Sequence, residues 1–196
     1  MTNGNHVIFV HPDGTSPSHY AIARFVEKGP DGRLNWDKLD NAGVYLGHME
    51  DQIGATSNGG AVTHATGAKV YAESFGLEED GSEITPLSGN VGKTIVEEAI
   101  EANKVTALVQ SGAIYEPGTA AFVAQVGETI DTEGNRIPPR SRTADISKLV
   151  IESGVDFILG GGEVTLLPEG TEGFHGSAAE LDELGVQQAL FQHFLE

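Results

Sequence analysis

Hydrophobic positions follow two different periods along the chain. Short apolar runs rich in β-branched residues predict buried strands of a parallel sheet at residues 6–10 (HVIFV), 105–109 (VTALV) and 155–159 (VDFIL), and a further strand is predicted at residues 44–49. Apolar residues at helical spacing predict helices at residues 18–28, 92–103, 120–126, 144–153 and 177–196. Predicted strands and helices therefore alternate along the chain.

This alternation predicts an α/β fold with a mostly parallel central sheet and helices on both faces. The 196 residues, 39% of them hydrophobic, suffice for one globular domain with a sizeable core. Ligands of such sheets bind at the carboxyl ends of the strands. The loops HPDGTS, SGAIYEPGT and GGGE each follow a predicted strand, so we expect the chemistry in these loops.

The chain is strongly acidic, with 29 acidic and 11 basic residues and a net charge of −18. Such a charge repels nucleic acids and anionic lipids, so neither is an expected partner. An anionic substrate would be repelled as well, and bound cations would then have to supply local positive charge. A solvated acidic surface explains the same composition, and the two interpretations are compatible.

Cysteine is absent, so any zinc ion must be held by His, Asp or Glu. No run of about 18 apolar residues is present, which predicts that the chain does not span a membrane. The start, MTNGNHVIFV, lacks the features of a signal peptide, although a leader removed earlier would leave the same start. The compartment stays open on these grounds.

Two residues stand where a site is expected. Asp13 follows the first predicted strand, where its carboxylate can face a site or can simply form a turn with Gly14. Ser57 lies in a loop of small residues that leads into a predicted helix, and helix N-termini favour phosphate and other oxyanions. The alternative is that Thr56, Ser57 or Asn58 only caps that helix.

Three segments of the sequence resemble the N-terminal half of the alkaline phosphatases. They are NHVIFVHPDGTS, SNGGAVTHATGAKVYAESFG and ESGVDFILGGGE, in the same order and at similar intervals over residues 5–163. The resemblance implies hydrolysis of phosphate monoesters with zinc and magnesium as cofactors. It implies that Asp13 bridges two metal ions and that Ser57, which precedes an intact ATGAK, is the nucleophile. Coordination to zinc would stabilise the serine alkoxide.

The chain departs from the family pattern at two places. Thr56 stands where the family has an aspartate that helps to position the phosphate-binding arginine. Thr56 is also an alternative nucleophile, because related phosphodiesterases use threonine. In the second place, Gly118 occupies the position of the family's magnesium-binding threonine, and Thr119 is one place further along. We predict Glu116 and Thr119 as magnesium ligands; the alternative for Glu116 is a capping or surface role.

The resemblance also implies an arginine that binds the phosphate with two parallel hydrogen bonds. Counting back from Ile146 favours Arg140, and Arg142 is the second choice. An exposed loop arginine without such a role is the alternative.

Most zinc ligands of the family belong to its C-terminal half, and the chain contains no Asp-x-x-x-His and no Asp-His. We therefore predict that residues 1–196 are the N-terminal part of an incomplete domain with little or no activity alone. A phosphodiesterase or sulfatase of the same superfamily and a non-catalytic metal- or anion-binding fragment are the competing interpretations. The resemblance further implies a periplasmic or secreted protein and a possible homodimer.

Overall fold

The computed structural model describes residues 6–166. The chain divides into two compact units, and the boundary between them lies between Leu46 and Gly47. No helix among the described residues is long and apolar enough to cross a membrane. The helix predicted at residues 177–196 lies outside the described residues.

The first unit contains one long helix, α1 (Pro17–Lys28), which confirms the prediction for residues 18–28. Pro17 occupies the first helical position, where its fixed φ and missing N–H are tolerated. The backbone N–H of Ser16 donates to the Nδ1 atom of His19 at 2.9 Å, which satisfies a donor at the helix start. Gly29 ends the helix with a φ of 74°, a conformation that favours glycine.

A short 3₁₀ turn, Trp36–Lys38, is bound to α1 by side chains. The Nε atom of Arg24 donates to Asp37 at 2.8 Å, and the N–H of Leu34 donates to the same carboxylate at 2.8 Å. The rings of Tyr20 and Trp36 meet edge to face, with centroids 4.8 Å apart. An ion pair and an aromatic pair thus join the turn to the helix.

Two of the four strand predictions are wrong within the described residues. Residues 6–10 and 44–49 form no strand, and the side chains of Val7, Ile8 and Val44 are exposed. An apolar run becomes a buried strand only when a neighbouring strand pairs with it. None of the described strands pairs with either segment.

The second unit contains a parallel pair of strands, β1 (Ala107–Ala113) and β4 (Phe157–Gly161). Leu108 pairs with Ile158, and the register is irregular after Val109. The predicted strands at residues 105–109 and 155–159 are therefore confirmed, and each begins two residues later than predicted. Residues 127–139 contain a small antiparallel hairpin of β2 (Thr129–Ile130) and β3 (Arg136–Ile137).

Five helices of the described chain belong to the second unit: α2 (Ser57–Thr66), α3 (Ile95–Glu101), α4 (Pro117–Ala120), α5 (Thr143–Glu152) and α6 (Glu163–Leu166). The predictions at residues 92–103 and 144–153 are confirmed by α3 and α5. The helix predicted at residues 120–126 is wrong, because α4 ends at Ala120 and turns follow it. Residues 120–124 are buried, so their apolar pattern reflects the core rather than a helix face.

The core of the second unit surrounds α2. Its larger cluster includes Phe75, Phe122, Ile146 and Val150, and a smaller cluster is built on Val62 with Ala61, Val70, Ile84 and Ala121. Helix α2 packs against α4 and carries buried residues through most of its length, from Asn58 to Thr66. The start of α2 is thus fixed in place, because most of the same helix is buried in the core.

Candidate active site

The start of α2 is fixed by Thr56, its N-cap residue. Thr56 has an extended backbone, and its hydroxyl accepts a hydrogen bond from the N–H of Gly59 at 3.2 Å. The same hydroxyl donates to the backbone carbonyl of Ala72. The N–H of Ala72 in turn donates to Asp51 at 2.8 Å. The Thr56 oxygen therefore uses its proton and accepts a bond in a structural role.

Ser57 is the first residue of α2, and its side chain is exposed. Its hydroxyl makes no hydrogen bond with any described residue. The next residue, Asn58, is already buried. The first backbone N–H groups of a helix have no partner within the helix, so an anion beside Ser57 would meet unpaired donors and the positive end of the helix dipole.

Ser57 lies on the wall of a cavity of about 560 Å³. The other lining residues come from the helix start, from the segment after α2, from the loop before α4 and from the turn before α5. They are Thr56, Asn58, Ala72, Glu73, Tyr115, Glu116, Pro138, Pro139, Arg140, Ser141 and Thr143. The structure therefore brings together three residues singled out in the sequence, namely Ser57, Glu116 and Arg140.

Glu116 and Arg140 form an ion pair on this wall. The Nη2 atom of Arg140 donates to the Oε2 atom of Glu116 at 2.9 Å. The side chain of Arg140 is 50% exposed and that of Glu116 is 37% exposed. Each residue keeps a face toward solvent, so the pair can contact a ligand in the cavity.

Arg142 has a different environment. Its Nε atom donates to Asp145 at 2.9 Å, and its Nη1 atom donates to the carbonyl of Gly127 at 2.9 Å. It is the N-cap residue of α5, without a side-chain capping bond, and it does not line the cavity. Between the two arginines considered from the sequence, Arg140 is the one beside Ser57.

Thr119 is not among the lining residues. Its hydroxyl oxygen is buried and has no hydrogen-bond partner among the described residues, which is compatible with a metal ligand. Within residues 6–166, however, no group of three His, Asp or Glu side chains is arranged to hold a metal ion. The described residues therefore do not fit a complete metal centre.

Asp13 belongs to the first unit and lies in the turn that precedes α1. Its backbone N–H donates to the carbonyl of His11 at 3.1 Å, and Gly14 continues the turn with a φ of 65°. The Asp13 carboxylate is exposed and lies 3.8 Å from the Nε2 atom of His11. The turn expected from Asp13-Gly14 is therefore present, and the carboxylate is exposed to solvent.

Sequence reasoning missed the second carboxylate of the cavity, Glu73. It lies in the segment YAESFG that follows α2, and Arg136 bonds to both Glu73 and Glu128. The pKa of Tyr71, two residues earlier, is raised by burial and by the neighbouring Glu128 and Glu73 carboxylates. Nothing in the spacing of Glu73 indicates this position, because it depends on how the segment after α2 folds back on the helix start.

Comparison with known proteins gives a consistent result. The model of the family described as alkaline phosphatase matches residues 4–188. Alkaline phosphatase from the Antarctic bacterium TAB5 superposes with a TM-score of 0.57 at 22% identity, covering 85% of this chain and 42% of its own. The cold-active alkaline phosphatase from the psychrophile Shewanella sp. gives 0.59 at 19% identity, covering 89% and 39%.

A TAB5 mutant with magnesium bound in its M3 site gives a TM-score of 0.54 at 26% identity and covers 74% of this chain and 36% of its own. No curated protein sequence matches the chain. The chain spans less than half the length of each of these three solved structures.

Proposed function

The chain belongs to the alkaline phosphatase family, and on that basis we propose that the protein hydrolyses phosphate monoesters through a covalent phosphoserine at Ser57. The observation that supports this role is the state of the Ser57 hydroxyl. It is exposed, it has no hydrogen-bond partner among the described residues, and it shares a cavity wall with Arg140.

The proposed reaction has two displacements. The Ser57 oxygen attacks phosphorus, the bond from phosphorus to the ester oxygen breaks, and the alcohol leaves with a proton. Water then attacks the phosphoserine and releases inorganic phosphate with the free serine. Arg140 and the N-terminal end of α2 would bind the phosphate oxygens, whose negative charge they oppose.

The alternative nucleophile, Thr56, is disfavoured by its contacts. Attack by its oxygen would require release of the bonds to Ala72 and Gly59, and thereby of the helix cap. A phosphodiesterase or sulfatase that uses threonine is therefore the weaker proposal. A non-catalytic anion-binding role would use the same cavity but would give no covalent intermediate. Trapping of the phosphoserine therefore separates it from the leading proposal.

We propose zinc and magnesium as cofactors on the strength of family membership. Bound metal ions would lower the pKa of the attacking oxygen and neutralise charge on the leaving one. Asp13 is proposed as a ligand that bridges two metal ions, and Ser57 as a zinc ligand. Glu116 and Thr119 are the proposed magnesium ligands. Since residues 6–166 hold no group of three acidic or histidine ligands, we expect the remaining ligands elsewhere in the protein.

Two further proposals come from family membership alone. They are a periplasmic or secreted location and a homodimer. The substrate class we propose is a phosphate monoester.

The covalent intermediate gives the direct test. Full-length protein is quenched with acid during turnover of a phosphomonoester, and the phosphorylated residue is located by mass spectrometry. We expect phosphate on Ser57 and none after Ser57→Ala. Ser141→Ala changes another exposed serine of the same wall and is expected to keep the phosphoenzyme. Phosphate on Thr56, or undiminished turnover after Ser57→Ala, contradicts the proposal.

A further inference from the structure

The ion pair of Glu116 and Arg140 uses a small part of the guanidinium group. One nitrogen, Nη2, contacts one carboxylate oxygen, and Arg140 makes no other hydrogen bond to a described side chain. A guanidinium has five N–H donors in a planar fork. The remaining donors are therefore available to a second oxyanion while the first contact persists.

Both partners stand on backbone that is fixed. Glu116 precedes α4, its N–H donates to the carbonyl of Ala113 at 2.9 Å, and its own carbonyl accepts from Ala120 at 3.1 Å. The next residue, Pro117, is fully buried. The backbone of Glu116 thus has little freedom to move relative to the core.

Arg140 is the middle residue of a 3₁₀ turn, Pro139–Ser141. Pro139 is fully buried, and Pro138 precedes it in an extended conformation. Two consecutive prolines restrict the backbone before Arg140. Only the long side chain of Arg140 remains adjustable, and the Glu116 carboxylate is the described group that holds it.

We propose that Glu116 is a positioning residue, which orients Arg140 toward an oxyanion bound beside Ser57. The proposal rests on the proposed function, because it takes the cavity to be the phosphate site. In this proposal the Oε2 atom of Glu116 holds Arg140. The other carboxylate oxygen, Oε1, can contact a metal ion without changing this role. A phosphate bound by Arg140 would then gain from an arginine that is already oriented.

The charge of Glu116 allows a clear test, because a carboxylate in a phosphate site also repels the phosphate. Repulsion and positioning therefore predict opposite changes in phosphate affinity. If Glu116 only repelled phosphate, its neutralisation would strengthen binding. If it orients Arg140, neutralisation weakens binding despite the lost repulsion. The expected weakening is about two- to fivefold, the range that corresponds to a partly exposed ion pair.

The test measures binding of inorganic phosphate to full-length protein by calorimetry. Glu116→Gln keeps the shape of the side chain and removes its charge. The matched control is Glu101→Gln, which removes an exposed glutamate paired with Lys93 at 2.7 Å and outside the cavity wall. Glu116→Gln is expected to weaken binding and Glu101→Gln to leave it unchanged.

A double-mutant cycle isolates the effect through Arg140. In an Arg140→Gln background no guanidinium is left to orient, so Glu116→Gln is expected to strengthen phosphate binding. The reversal of sign between the two backgrounds is the signature of positioning. With Arg140 present, Glu116→Gln is also expected to broaden the NMR signal of the Arg140 Nε–H group in unliganded protein.

Unchanged or tighter binding after Glu116→Gln in the otherwise native protein overturns the proposal, as does absence of phosphate binding by the native protein. Failure of the proposed function is distinguishable. Phosphate that binds and depends on Glu116, without a phosphoserine at residue 57, leaves the positioning role intact. A phosphoserine with no dependence on Glu116 removes the positioning role alone.

Discussion

The hydroxyl of Thr56 donates a hydrogen bond to the backbone carbonyl of Ala72, 16 residues further along the chain. This bond joins the start of α2 to the segment that follows the helix. The same oxygen caps α2, and the hydroxyl of the adjacent Ser57 is exposed and has no hydrogen-bond partner among the described residues. A structural hydroxyl and a proposed nucleophile are therefore neighbours in sequence.

Replacement of Thr56 by Val tests its structural role. Val has the same shape but neither accepts from Gly59 nor donates to Ala72, so we expect a loss of about 1–2 kcal/mol in the free energy of unfolding. Denaturant titration measures this loss. Thr132→Val, at an exposed threonine of the hairpin loop, is the matched control and should change stability little. A stability equal to that of the native protein would contradict the capping role.

The adjacent glycines of α2 give a prediction with opposite signs. A Cβ atom on Gly59 would lie 2.6 Å from the sulfur of Met49 and 3.0 Å from the Thr56 hydroxyl, whereas one on Gly60 would meet nothing within 4 Å. Gly59→Ala is expected to destabilise by about 1–3 kcal/mol through overpacking. Gly60→Ala should stabilise by about 0.5–1 kcal/mol, because alanine favours the helix. Thermal unfolding of both variants checks the signs, and two effects of equal sign would refute the close packing at Gly59.

Arg140 and Arg142 should differ in what their loss affects. Arg140→Gln is expected to lower phosphate affinity by about tenfold or more, since a charge-assisted hydrogen bond contributes about 1.5–3 kcal/mol. Arg142→Gln removes the contacts to Asp145 and Gly127 and is expected to lower the melting temperature instead. Phosphate titration and thermal unfolding of each variant separate the effects. If phosphate affinity depends on Arg142 and not on Arg140, then Arg142 is the phosphate-binding arginine and the assignment of Arg140 is wrong.

The ion pair of Arg24 and Asp37 predicts an acid transition in the first unit. Hydrogen bonds from Arg24 and from the N–H of Leu34 lower the pKa of Asp37 to about 2. A carboxyl with a depressed folded-state pKa contributes stability above its unfolded pKa, so this contribution is complete above about pH 4. It is lost as the pH falls from about 4 to about 2.

Fluorescence of Trp36, the single tryptophan of the chain, measures this transition, because the ring contacts Tyr20 in the same unit. Asp37→Asn should lower the stability of the unit at neutral pH and abolish its dependence on pH between 4 and 2. Asp31→Asn, at an exposed aspartate of the same unit, should retain that dependence. If the acid transition persists in Asp37→Asn, it arises from another titratable group and the prediction is wrong.

The 196-residue polypeptide alone is expected to show little or no phosphatase activity. The physical reason is that the described residues do not assemble a metal centre, and a serine hydroxyl without a metal or a base is a poor nucleophile. Hydrolysis of a generic phosphomonoester in the presence of zinc and magnesium measures this. Robust turnover by the 196-residue chain would contradict the prediction.

Local pattern was sufficient for several elements. Helices α1 and α3 carry their own start signals: Pro17 at the first position of α1, and Thr94 and Glu97, which form a capping box at α3. The segments at residues 6–10 and 44–49 have equally strong apolar patterns but form no strand. Pairing depends on a neighbour rather than on the segment itself, so pattern alone predicts it poorly.

One part of the candidate site could be predicted from the sequence and another could not. Its helix start could be predicted, because small residues followed by a helical segment favour an anion at Ser57. The contact between Glu116 and Arg140 could not, because it joins residues 24 positions apart through a 3₁₀ turn and a short helix. The sequence placed both residues among the candidates but did not indicate that they meet.

Helix α2 is buried along most of its length, and its first two residues, Ser57 and Asn58, line the cavity. Of these two, Ser57 is exposed and Asn58 is buried. A side chain on a surface loop can be displaced without cost to the core, but Ser57, the proposed nucleophile, cannot. Its location is set by the fit of Val62 and Ala65 inside the protein. The position of the hydroxyl is therefore set by the interior, and we expect substitutions far from the cavity to shift it without contacting a ligand.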